Sequence, residues 1–146
     1  MNNVPRIGIP LLLAITFGML ILAKSIVTIG SIAGLEDVGA PLPYASSKAA
    51  LLTYTKSLSR KLAHKKIRVN MVSPGNILFP GGNWDKKKRS NPKIVNQMLL
   101  KKVPLQMFGV PEDIGNVVAF LISSKARFIT GTNIIIDGDQ LSSMGL

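Results

Sequence analysis

"SIVTIGSIAGLEDVGAPLPYASSKAALLTYTKSLSRKLAHKKIRVNMVSPG", residues 25–75, reads as strand, loop, helix and strand in turn. "SIVTIG" is β-branched and apolar on both faces, as a strand inside a parallel sheet should be. The glycine- and proline-rich stretch after it reads as a loop. Residues 44–66 are predicted as a helix with Leu51, Leu58 and Leu62 on its buried side, and "IRVNMVSPG" as a second strand closed by Pro74 and Gly75. A loop rich in glycine and lysine follows. "NPKIVNQMLLKK" then suits a short helix with Asn91 as N-cap and Pro92 at the first helical position. "VPEDIGNVVAFLIS" suits a longer one, because Pro111 and two carboxylates occupy its first turn. "NIIID", residues 133–137, is the last predicted strand. Strands alternating with helices imply right-handed βαβ crossovers and a parallel sheet covered on both faces, so the fold class is α/β.

Composition narrows the chemistry. The 146 residues are 47% hydrophobic and 17% charged, which suits one globular domain. The absence of cysteine excludes disulfides and thiol catalysis, and with His64 as the single histidine no metal site is expected. A formal charge of +11 raises the question of nucleic acid. Lysines and arginines are scattered, however, with one run at Lys86, Lys87, Lys88 and Arg89 and no interleaved aromatics. They read as a solvated surface. Residues 7–23, "IGIPLLLAITFGMLILA", are uncharged between Arg6 and Lys24. A signal peptide, a short membrane span and a buried helix all give this signature, although the run is at the lower limit for crossing a bilayer.

Tyr44 and Lys48 are four residues apart, so they lie on adjacent turns of one helix face. A nearby positive charge favours the phenolate form of a tyrosine. Ser31 ends the first strand thirteen residues before Tyr44, and Pro74 and Gly75 end the second. Ligands of open parallel sheets bind beyond the carboxyl ends of the strands. Ser31, Tyr44, Lys48, Pro74 and Gly75 are therefore expected on one rim.

Five ordered blocks, "IVTIGSIAG", "YASSKAAL", "IRVNMVSPG", "GVPEDIGNVVAFLIS" and "FITGTNIIIDGDQ", resemble the C-terminal half of a short-chain dehydrogenase/reductase over about residues 25–140. Within that family the likeness is to 3-oxoacyl carrier-protein reductases. The resemblance implies part of a doubly wound, Rossmann-like parallel sheet with flanking helices, without the N-terminal dinucleotide-binding half. It also implies roles. Tyr44 would be the general acid and base. Lys48 would promote tyrosine ionisation and hold the nicotinamide ribose, and Ser31 would donate a hydrogen bond to the reacting oxygen. Pro74, Gly75 and Ile77 match the family's nicotinamide-side loop, so Tyr44, Lys48, Pro74, Gly75 and Ile77 are the expected cofactor-binding residues. The cofactor would be NAD or NADP, and the substrate a small carbonyl compound or alcohol.

The sequence departs from the family at several points, among them the absence of an Asn-Ala-Gly stretch and of a secure match to the family's upstream catalytic asparagine. Phe79 stands where the family usually has threonine, Asp139 replaces the second glycine of a common pair, and no G-x-x-x-G-x-G occurs before Ser31. Residues 1–24 are accordingly expected to be an apolar helix, a remnant of the family helix before the first strand or else an anchor, with residues 25–146 as the C-terminal part of one domain. The first strand would then have an unpaired edge. A cytoplasmic oxidoreductase is expected, forming a homo-oligomer or a mixed oligomer with a related chain, with no nucleic-acid or membrane partner. The alternative is a catalytically inactive module that serves oligomerisation.

Overall fold

The computed structural model describes residues 19–22 and 24–142. The elements are β1 (Met19–Leu22), β2 (Ser25–Ile29), α1 (Leu42–Leu62), β3 (Arg68–Pro74), α2 (Asn83–Ser90), α3 (Pro92–Lys102), α4 (Pro111–Ile122) and β4 (Asn133–Ile136). They build one sheet in the order β1-β2-β3-β4. β2, β3 and β4 are parallel, with Ser25 opposite Arg68 and Met71 opposite Asn133. The α/β class and the parallel core follow the sequence reading.

Side chains of a strand alternate between faces, so each face of the sheet has its own cover. Val27 and Val72 point towards α4 and are fully buried with Leu121 and Ala126, and Ile114, Val118, Ile134 and Ile136 pack around them. Two polar anchors fix the end of α4. The Arg68 guanidinium donates to the carbonyls of Leu121 and Ser123, and the Ser25 hydroxyl donates to Leu121 O at 3.2 Å. These donors satisfy carbonyls that a helix C-terminus leaves open, and the arginine suits the negative end of its dipole.

On the opposite face lies α1, which carries Pro43 in its first turn and ends at a turn where Lys66 takes the left-handed conformation (φ 54°). Its buried stripe is Leu51, Thr55 and Ser59, four residues apart. Leu58 and Leu62, predicted on the buried side, are only half-buried. The helix is rotated because its contact with the sheet is partly polar: the Thr55 and Thr28 hydroxyls are 2.8 Å apart, and Thr55 also donates to Leu51 O at 2.7 Å. Both hydroxyls are buried and partnered, as burial requires.

Two expectations are corrected. The apolar run at 7–23, expected as a helix, contributes β1 at Met19–Leu22, and the rest of it lies outside the described residues. β1 pairs antiparallel with β2, Leu22 against Ser25 and Met19 against Thr28, so that edge of β2 is paired rather than open. The physical reason is that an open edge leaves backbone donors and acceptors unsatisfied, and a hairpin through Lys24 (φ 71°) satisfies them. The second correction is α2, which lies in the stretch read as a loop. Asp85 secures its first turn by accepting from Gly81 N at 2.9 Å and from Arg89 Nε at 3.1 Å, while the Trp84 ring sits 5.5 Å from that of Phe108. Trp84 is the lone apolar anchor of the eight-residue helix, so no periodicity announced it.

Candidate active site

Ser31 lies just beyond the carboxyl end of β2, at the N-cap of a short turn over Ile32–Gly34. Its Oγ accepts from Ala33 N at 3.2 Å, which leaves its own O–H free to donate outward. Gly34 lets this turn meet α1. A Cβ there would stand 2.7 Å from the Lys48 carbonyl carbon and from Ala49 N, closer than any side chain could be accommodated. The glycine thus sets how near Ser31 comes to the turn of α1 that holds Lys48.

Tyr44 and Lys48 project from adjacent turns of α1. The Lys48 ammonium lies 5.6 Å from the centre of the Tyr44 ring, within cation–π range, and donates to Ile29 O at 2.9 Å. Lys48 therefore ties the helix to the last residue of β2, the strand that leads into Ser31. Tyr44 is 45% exposed, and among the described residues its hydroxyl has no hydrogen-bond partner. The pair is an anchored cation beside a phenol open to solvent. Sequence spacing found both side chains. It could not find their backbone partner Ile29 O, because a carbonyl has no residue signature.

The second wall of the rim is the chain leaving β3. Gly30 N donates to Val72 O at 2.7 Å and Gly75 N to Ile136 O at 2.9 Å, which fixes the strand ends beside one another. A Cβ on Gly75 would lie 2.6 Å from Asp137 Cβ, so only glycine fits between β3 and the turn after β4. Ile77 makes an isolated parallel bridge with Gly109, with Leu78 N donating to Gly109 O at 2.8 Å. Ile77 also lines a cavity of about 360 Å³ with Asn76, Phe108, Asp137 and Gly138. Ser31, Tyr44 and Lys48 stand outside that cavity, on an open rim.

The departures noted in the sequence have local consequences. The Phe79 ring lies against Gly82, where a Cβ would come within 2.9 Å, so the aromatic replaces a small polar group with a turn-packing one. Asp139 has φ 67°, a left-handed conformation that glycine occupies without cost. Asp137 steadies the same turn by accepting from Asp139 N and Leu141 N, each at 2.9 Å, a role that the sequence did not suggest.

Known proteins resemble this chain in sequence and in fold. The family profile described as Enoyl-(Acyl carrier protein) reductase matches residues 14–138. Isoepoxydon dehydrogenase patN of Aspergillus clavatus is 45% identical over 98 residues, which are 67% of this chain and 38% of that protein. The 3-oxoacyl-[acyl-carrier-protein] reductase FabG of Rickettsia felis is 40% identical over 116 residues, 80% of this chain and 46% of the relative. Among solved structures, 4-hydroxyisoleucine dehydrogenase complexed with NADH superposes with a TM-score of 0.74 at 36% identity, covering 82% of this chain and 48% of the other. L-sorbose reductase from Gluconobacter frateurii, complexed with NADPH and L-sorbose, gives a TM-score of 0.74 at 27% identity over the same shares. The chain thus spans less than half the length of each of these relatives. Its ordered sequence blocks, its parallel sheet and the extent of these matches place it in the short-chain dehydrogenase/reductase family.

Proposed function

We propose that the rim formed by Ser31, Tyr44 and Lys48 serves an oxidoreductase that transfers hydride between NAD or NADP and a carbonyl or secondary alcohol. The observation that carries this reading is the anchored pair on α1, with Lys48 Nζ held by Ile29 O and the Tyr44 hydroxyl without a hydrogen-bond partner among the described residues. The residues fit the nicotinamide end of such a cofactor. Lys48 offers an ammonium for ribose hydroxyls, while Pro74 and Gly75 stand at the carboxyl end of the neighbouring strand β3 and Ile77 lines the cavity beyond them. When bound, the cofactor supplies or takes the hydride. Relatives of known structure bind NADH or NADPH, which supports this choice.

The chain's own residues handle the oxygen and its proton. Ser31 donates a hydrogen bond to the reacting oxygen through the O–H that its turn leaves free. In the reducing direction Tyr44 gives its proton to the oxygen as the carbonyl carbon gains hydride, and in the oxidising direction the phenolate takes the alcohol proton. Lys48, positively charged beside the ring, stabilises the phenolate that this leaves. A positioned acid–base group contributes about 10²–10⁴-fold to rate. Tyr44→Phe should therefore reduce NADH- or NADPH-dependent turnover of a carbonyl panel by about that factor, with folding unchanged. Equal turnover by the variant would overturn the assignment.

A second reading is an inactive module that associates with a related full-length chain. It draws on the outer face of α1, where Leu42 and Tyr54 are exposed. Co-expression with such a relative should give a stable mixed oligomer, and migration only as monomer would remove this reading.

A further inference from the structure

The α2–α3 hairpin is one of two strongly basic stretches: residues 56–68 carry six cations and no carboxylate, and the hairpin differs from them in the large apolar side chains it exposes among its charges. Residues 83–102 carry seven cations against Asp85 alone, which accounts for more than half of the formal +11. All seven are exposed: Lys86, Lys87, Lys88 and Arg89 on α2, and Lys93, Lys101 and Lys102 on α3. Two of them have local partners. Lys87 lies 4.7 Å above the Trp84 ring, and Arg89 Nη2 is 3.1 Å from Asp85. The remaining five are all lysines, compact and well-hydrated charges suited to diffuse attraction rather than to the bidentate grip of arginine.

The cations do not stand on a purely polar surface. α3 turns Val95 inward and leaves Ile94 and Leu100 exposed beside Lys93 and Lys101, and Leu105 and Met107 are exposed just beyond the helix. Lysines interleaved with exposed aliphatic side chains match a surface that is negative at the headgroups and apolar just beneath them. Nucleic acid would use the charges alone and leave the aliphatic residues unexplained. The hairpin is also held to the rim, since Asn76 Nδ2 donates to Met98 Sδ at 3.7 Å. We propose that the α2–α3 hairpin docks on an anionic lipid surface, with the lysines at the headgroups and Ile94 and Leu100 inserted between them. This placement is independent of the hydride chemistry, and it revises the expectation of a merely solvated basic surface.

The experiment is co-sedimentation of the 146-residue chain with phosphatidylserine-containing vesicles and with pure phosphatidylcholine vesicles. It is run at about 0.1 M and about 1 M salt, where screening lengths are about 10 Å and 3 Å. Binding should require the anionic lipid and fall at high salt. The combined variant Lys86→Gln, Lys88→Gln, Lys93→Gln, Lys101→Gln should weaken partition about fivefold per cation, several hundredfold in all, if each contributes about 1 kcal/mol near the surface. A charge-matched control, Lys61→Gln, Lys65→Gln, Lys125→Gln, Arg127→Gln, removes exposed cations from the end of α1 and from the stretch after α4, and should keep most of the binding. Equal loss in both variants would reduce the effect to net charge and overturn the proposal. So would equal binding to neutral vesicles, or retention on polyglutamate or duplex DNA without binding to anionic vesicles. Circular dichroism of each variant separates loss of docking from loss of fold.

Discussion

The β2–α1–β3 unit and the α2–α3 hairpin adjoin one rim but are built in opposite ways. In the first, the groups that matter are tied to distant backbone: Lys48 to Ile29 O, Arg68 to Leu121 O and Gly75 N to Ile136 O. In the second, polar contacts are mostly local, such as Asp85 with Gly81 and Arg89, and Val95 is the only buried side chain on either helix. Long-range ties hold reacting groups in fixed geometry, which proton transfer requires. Local ties hold a surface whose charge and shape can vary without disturbing that geometry.

The comparison would break if the core tolerated change as readily as the hairpin. Leu121→Ala removes a fully buried side chain between α4 and the sheet and should cost about 2–5 kcal/mol in denaturant unfolding, whereas Ile94→Ala on the hairpin should stay within about 0.5 kcal/mol. Gly75→Ala tests the tie between β3 and β4. Its Cβ would meet Asp137 backbone and side chain, so a loss of about 1–3 kcal/mol is expected by the same method. Near-neutral behaviour would mean that the rim gives way easily. Asp139→Gly runs in the other direction: relief of the left-handed conformation should raise stability by up to about 1 kcal/mol in thermal unfolding.

The smallest expected effect sharpens the picture of the hairpin. The Gly81 amide, and after it the Arg89 guanidinium, hold the Asp85 carboxyl below its ordinary value of 3.8. A carboxylate with a depressed folded value contributes stability that is full above its unfolded value and is lost as pH falls through the folded one. Amides in the first turn of α2 should therefore lose protection, measured against their intrinsic exchange rates, below about pH 4, while those of α1 should not respond to this titration. Hydrogen exchange read residue by residue checks both halves of that statement.

Legibility in the sequence follows the same division. The parallel strands could be read from their apolar runs and α4 from its apolar periodicity, α1 could be read as a helix though not by its buried face, and the YxxxK spacing together with the strand-end positions of Ser31 and Gly75 placed the candidate rim. α2 was not legible, since its helix rests on a carboxylate, an aromatic contact and a turn glycine rather than on an apolar stripe. The buried face of α1 was misread because Thr55 and Ser59, polar by composition, are buried with their hydroxyls satisfied, Thr55 by Thr28 of the sheet and Ser59 by Lys56 O of its own helix. The pairing of β1 with β2 was hidden for a related reason: an apolar run that suits a buried helix also suits an edge strand.

The account's central claim is that Lys48 and its neighbours form a nicotinamide-binding rim. Its most direct test is a calorimetric titration of the 146-residue chain with NADPH and then NADH, repeated on Lys48→Ala. Saturable binding that weakens in the variant is the expected result. A folded chain that binds neither nucleotide, or one whose binding ignores the loss of Lys48, would contradict the claim.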